Sequence, residues 1–253
     1  MNRFVRKTLR MCGLYDAAVV FKNWLTNTEA EYVGFYSQFV SEGDLCFDIG
    51  ANVGRRTAVF LRLGASVVAV EPQAHCMKIL RKKYGADERV ALAEKAVGDK
   101  EGEAQMLLCD SHSLSSLSKE WIESVRASGR YLACDWHKTV TVPVVTLDAL
   151  IGEYGRPSFV KVDVEGYEFE VLKGLSEPLG VVCFEFTPEF MDSAINSVKR
   201  LGEIGTVELN YCLEDEPVRM VLSEWIKPGQ MCEMLASLRD EKRAGDVYAK
   251  FEI

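Results

Sequence analysis

The chain has 253 residues, 48% hydrophobic and 27% charged, the proportions of one large globular domain with a full core. A formal net charge of -8 weighs against phosphate backbones and anionic membrane surfaces as the main partners, so nucleic acid is not expected. Eight cysteines without a C-x-x-C pair predict reduced, buried thiols in a cytoplasmic protein rather than a disulfide framework.

Residues 1–42 read as a helical segment packed on the core, and residues 43–253 as the main part of a single domain. Arg3, Arg6, Lys7 and Arg10 precede the short apolar run Ala17-Ala18-Val19-Val20-Phe21, which Asp16 and Lys22 bracket. No cleavage site follows, and no run is long enough to span a bilayer, so packing on the domain is favoured. Peripheral membrane contact through this basic terminus stays open. Thr26 or Asn27 is placed to cap a helix carrying Tyr32, Phe35, Tyr36 and Phe39 at helical spacing, a stripe expected in the core.

Leu45 to Ile49 is the first strand, and it runs into Gly50-Ala51-Asn52-Val53-Gly54 and a helix from Arg56 to Leu63. Gly50 and Gly54 are expected to leave bare backbone against which a small molecule can lie. Such turns serve both dinucleotides and S-adenosylmethionine. Asp48 favours the second: a carboxylate before the turn repels pyrophosphate but attracts a sulfonium and an ammonium. Ala51 and Asn52 also depart from the dinucleotide pattern.

Ser66 to Glu71 is a second, apolar strand, ended by Pro72; Glu71 stands where an acid accepts both hydroxyls of an adenosine ribose. A basic helix spans Gln73 to Tyr84, Val90 to Val97 reads as a third strand, and Glu103 to Cys109 as a further one. Residues 110–138 are irregular and rich in serine, with a short helix near Lys119 to Ala127; a substrate lid and an ordinary surface excursion fit equally. Thr139 to Val145 is a strand, and Thr146 a cap for the next helix. Ser158 to Val162 is the fourth central strand, ending in Asp163 and Glu165, with a helix over Tyr167 to Leu175. Val181 to Phe186 is the fifth, followed by a helix from Pro188 to Leu201, a strand over Thr206 to Tyr211, a helix over Pro228 to Arg239 and a last strand, Asp246 to Glu252. The alternation predicts an α/β fold with one doubly wound, mostly parallel sheet.

Ligands of such sheets lie beyond the carboxyl ends of the strands, where Asp48, Glu71, Asp163, Glu165 and Glu185 converge. Gathered acids suit a cationic ligand, a metal or a general base. Asp163 or Glu165 is the candidate base for a hydroxyl acceptor, one raised in pKa by the other. The bland alternative has Asp163 hydrogen-bonding the donor and Glu165 capping the following helix. His75, His112 and His137 share no ligand spacing, and no metal site is predicted.

Asp48-Ile49-Gly50-Ala51-Asn52-Val53-Gly54, Val70-Glu71-Pro72, Ala96-Val97-Gly98-Asp99, Thr146-Leu147-Asp148 and Lys161-Val162-Asp163-Val164-Glu165-Gly166-Tyr167-Glu168, in this order, resemble the FkbM family of methyltransferases. The resemblance implies a Rossmann-like, seven-stranded class I fold with its last strand antiparallel, S-adenosylmethionine as cofactor, and O-methylation of sugars, glycolipids or polyketides. By position it assigns Asp48, Gly50, Asn52, Gly54 and Thr57, with Ala51 between them, to the methionine end of the cofactor. It places Glu71 and Pro72 at the ribose, Val97 near the adenine and Asp163 near the transferred methyl. A small-molecule or carbohydrate acceptor is the expected partner. A nicotinamide-dependent oxidoreductase or epimerase, and a non-catalytic module on the same fold, remain as alternatives.

Overall fold

The computed structural model describes residues 28–131, 134–214 and 218–252. The basic N-terminal segment, the expected caps Thr26 and Asn27, and Cys12 lie outside them. The described chain runs α1 (Thr28–Tyr36), β1 (Leu45–Ile49), α2 (Arg55–Arg62), β2 (Ser66–Val70), α3 (Ala74–Tyr84), β3 (Val90–Ala93), β4 (Ala96–Val97) and β5 (Gly102–Cys109). It continues through α4 (Lys119–Ser128), β6 (Trp136–Val145), α5 (Leu147–Tyr154), β7 (Phe159–Val162), α6 (Glu168–Lys173), β8 (Val181–Phe186), α7 (Met191–Ile204), β9 (Val207–Leu213), α8 (Pro228–Asp240) and β10 (Gly245–Phe251).

Seven strands form the central sheet in the order β3-β2-β1-β7-β8-β10-β9. Parallel ladders join β3 to β2, β2 to β1, β1 to β7 and β7 to β8, whereas β10 runs antiparallel to both β8 and β9. The strand order therefore reverses between β1 and β7, which is where an open parallel sheet opens a crevice.

Because side chains alternate along a strand, each face of this sheet has its own core. Phe47, Ile49, Val68, Val70, Val160, Val162 and Val182 pack under helices α5 to α8. Cys46, Val67, Phe159, Cys183 and Tyr248 face the other way, against Phe35 and Tyr36 of α1 and Val59 and Phe60 of α2. The aromatic stripe of α1 is thus core: Tyr36 is fully buried and meets Phe60 and Phe159 edge-on. Arg56 turns toward this side, its guanidinium 3.9 Å from the centre of the Tyr32 ring. The basic helix α3 is solvated on one side and buries Cys76, Met77 and Leu80 on the other.

The expected strand Val90 to Val97 is two strands in two sheets. The β2–β3 ladder ends with Glu71 N–H on the Ala93 carbonyl at 3.0 Å. The chain then turns at Glu94 and Lys95, and β4 pairs parallel with β6. With β5 antiparallel to β6, these make a separate three-stranded sheet, β4-β6-β5, beside the single sheet that alternation predicted. Strand β6 starts at Trp136, inside the stretch that read as irregular. Buried Trp121, Ile122, Val125, Trp136 and Leu114 give that stretch a small core of its own. Ser118 caps α4 through Trp121 N–H at 3.0 Å, and Thr146 caps α5 through Ala149 N–H at 3.0 Å. No described helix is long and apolar enough to cross a membrane.

Candidate active site

A cleft of about 500 Å³ opens beyond the carboxyl ends of β1, β2 and β7. Gly50, Asn52, Glu71, Pro72, Asp163 and Glu165 line one side. The small sheet and the loop after it supply the other, with Val97, Met106, His112, Ser115 and Leu117. Part of the serine-rich stretch is therefore a wall of the cleft. Its hydroxyls are spent on that architecture: Ser115 Oγ accepts Cys109 N–H at 3.1 Å, and Ser116 Oγ donates to the Glu165 carbonyl at 2.6 Å.

Asp48, Ala51, Gly54 and Thr57 are not among the lining residues. Asp48 is buried, and its Oδ2 accepts Thr57 N–H at 2.9 Å and Thr57 Oγ at 2.6 Å. It thereby serves the first turn of α2, where free amides and the positive end of the helix dipole favour a carboxylate. Burial pushes its pKa up, and the Thr57 hydroxyl offsets part of that. Gly50, which lines the cleft, and Gly54, which does not, both stand close to other parts of the protein. A Cβ on Gly50 (φ +81°) would sit 1.9 Å from the Asp163 carbonyl oxygen, and one on Gly54 would strike the Tyr84 and Leu80 side chains. Left-handed turns and close approach of protein to protein account for both residues.

Glu71 is 2% exposed and bridges two strand ends. Its Oε2 accepts Asn52 N–H at 2.9 Å, and its Oε1 accepts Gln73 N–H at 2.8 Å. Burial raises its pKa to about 7 against these two amides, which lower it. Each oxygen keeps a lone pair for a ligand hydroxyl.

After β7 the chain makes two successive left-handed residues, Glu165 (φ +55°) and Gly166 (φ +85°). A Cβ on Gly166 would lie 2.2 Å from the Trp121 ring, so the turn needs glycine there. This turn brings the carboxylates of Asp163, Glu165 and Glu185 within 4.8 Å of one another. Acids this close resist ionising together unless a proton or a cation sits among them. Burial first, then the Asp163 charge, holds Glu165 well above the ordinary glutamate range. Burial and then Glu165 do the same to Glu185.

Glu168, not Glu165, braces this turn: its Oε1 accepts Gly166 N–H at 3.1 Å and Val164 N–H at 3.2 Å. Burial lifts its pKa to about 7 from 4.5. A carboxyl whose pKa is raised on folding stabilises most when protonated, and that contribution is lost as pH climbs from about 4.5 to about 7. Glu168→Gln keeps the accepting oxygen and removes the titration. It is expected to flatten the dependence of melting temperature on pH across this window and to stabilise the protein at pH 8 by roughly 1–3 kcal/mol, read by thermal denaturation.

A family model described as the methyltransferase FkbM domain matches residues 48–204, more than half of the chain and all of its cleft-bearing strand ends. The chain belongs to this family. Membership brings S-adenosylmethionine as the cofactor. Over 159 residues the chain is 26% identical to the hexuronic acid methyltransferase AglP of Haloferax volcanii, spanning 62% of this chain and 60% of that protein's length. Over 92 residues it is 27% identical to a chloroplastic ribosomal RNA small subunit methyltransferase of Arabidopsis thaliana, covering 36% of this chain and 27% of that protein. Among solved structures, a precorrin-6y C5,15-methyltransferase from Geobacter metallireducens superposes with a TM-score of 0.47 at 11% identity, covering 88% of this chain and 87% of the other.

The residues of the cleft suit this cofactor. The cleft is apolar at Val97, Met106 and Leu117, as an adenine face requires, and acidic at Glu71 and Asp163. Sequence reasoning overlooked Gln73, Met106, Leu117 and Tyr167 in the lining, and it passed over Lys161 beneath Asp163. Tyr167 lies within the last of the five family motifs, and a lysine in an otherwise apolar buried strand is a signal that the residue pattern alone contains.

Proposed function

We propose that this family member transfers a methyl group to a hydroxyl of a sugar, glycolipid or other small metabolite. The observation that carries the reading is that a buried strand-end acid, Glu71, lines the same cleft as Asp163 and Glu165, whose carboxylates Glu185 approaches within 4.8 Å. Glu71 and Pro72 would hold the ribose, Val97 the adenine side, and Gly50, Asn52 and Asp163 the methionine end.

Bound S-adenosylmethionine supplies a methyl group already activated by its sulfonium. The chain's own work is to orient an acceptor oxygen and to take its proton. Glu165 suits the proton transfer. Half-buried and next to Asp163, it can accept a hydroxyl proton once ionised, which burial and the Asp163 charge shift to a pH above the ordinary glutamate range. A sugar acceptor is supported by the hexuronic acid methyltransferase relative; the acidic net charge speaks against RNA.

The test is incubation of the protein with methyl-labelled S-adenosylmethionine and, separately, neutral hexoses, hexuronates, a glycolipid fraction and ribosomal RNA. Label appearing as a methyl ether on a sugar supports the reading. Label appearing in RNA alone would contradict it.

A further inference from the structure

Lys161 is the only lysine or arginine among the described buried residues, with a side chain 0% exposed. It sits in the middle of the sheet, opposite Asp48 of β1 and Cys183 of β8. Such a place normally takes a valine, because an ammonium removed from water costs several kcal/mol unless its partners are well placed. They are. Nζ lies 2.9 Å from Asp246 Oδ1, 3.2 Å from the Val162 carbonyl and 3.4 Å from Asp163 Oδ2, one acceptor for each of its three protons.

The two acids differ in surroundings. Asp246 enters from β10, where it lies opposite Glu185, and is not among the residues lining the cleft. Asp163 lines the cleft, with 38% of its side chain exposed. Residues two apart share a sheet face, so Lys161 lies directly behind Asp163, one residue past the end of β7. A burial cost borne only for stability would be met as well by an apolar side chain at 161 and an uncharged one at 246.

Resting on the function proposed above, we propose that Lys161 is a positioning residue: anchored by Asp246, its buried ammonium holds the Asp163 carboxylate at the wall of the donor cleft. Its influence on donor binding passes through Asp163, and the Asp246 contact serves to fix the cation.

The experiment compares Lys161→Met, Asp246→Asn and the double variant, each measured for melting temperature and for S-adenosylmethionine affinity by calorimetry. Lys161→Met alone strands Asp246 and melts early. The double variant removes both charges and recovers most of the melting temperature, yet its donor affinity stays about tenfold or more below wild type. Asp246→Asn alone keeps an accepting oxygen for Nζ, and its affinity stays within about threefold. In an Asp163→Ala background, Lys161→Met adds no further loss of affinity, because the route is already cut. Wild-type affinity in the double variant, or an undiminished Lys161→Met effect without Asp163, would overturn the proposal and leave the function intact. A wild-type protein that binds no S-adenosylmethionine would overturn both.

Discussion

Glu71→Ala is expected to lower affinity for S-adenosylhomocysteine by about 10²- to 10³-fold. Hydrogen bonds to a charged acceptor are worth about 1.5–3 kcal/mol each, and two ribose hydroxyls would share this carboxylate. The same substitution releases Asn52 N–H and Gln73 N–H, so the turn after β1 loses its tie to β2. Glu71→Gln separates the two effects: it keeps one amide acceptor and lowers affinity by about tenfold. Burial gives Glu71 a pKa of about 7, and hydroxyl donors favour its ionised form. Wild-type affinity should therefore rise as pH passes from 6 to 8, and the glutamine variant should show no such rise. Calorimetric titration across that range checks both, and unchanged affinity in Glu71→Ala would remove the ribose assignment.

Glu165→Gln is expected to reduce kcat by about 10²-fold or more while leaving donor affinity within about threefold. General-base assistance contributes roughly 10²- to 10⁴-fold, whereas holding two reactants in line is worth about 7–11 kcal/mol, so the variant slows but is not dead. In the wild type, kcat should climb with pH as Glu165 loses its proton, at a pH well above that of an ordinary glutamate because burial and Asp163 both favour the neutral acid. In the variant that limb disappears. Single-turnover methyl transfer to the acceptor that the labelling experiment identifies measures both. If Asp163→Asn rather than Glu165→Gln removed the limb, the proton acceptor would be the other acid.

Much of this was legible in the residue pattern because apolar runs with sharp ends leave few choices. Leu45 to Ile49 and Val181 to Phe186 are strands with the bounds the sequence predicts, and the acids that follow β2 and β7 do reach one cleft. Runs with soft ends were less informative. Val90 to Val97 looks continuous, yet its first half pairs with β2 and its last two residues with β6, a change of partner that the run itself does not display. The small sheet escaped notice because its longest strand starts at Trp136, among residues that read as loop, and because its strands follow no βαβ alternation.

The site shows the same division. Position along the chain marked Asp48 and the glycines as candidates, but not what each side chain meets. Asp48 turns to Thr57, and the space at Gly50 belongs to the Asp163 carbonyl. Lys161 among Phe159, Val160 and Val162 was a visible anomaly, but its partner Asp246 lies 85 residues away and no spacing along the chain links the two.

Everything proposed for the reaction requires the methyl donor to bind in the acid-lined cleft past β1, β2 and β7. A crystal structure of the protein with S-adenosylhomocysteine tests this most directly. Both ribose hydroxyls should lie on Glu71, the adenine beside Val97 and the sulfur on the Asp163 side of the cleft. The ligand bound at any other place, or with its ribose away from Glu71, would contradict the assignment.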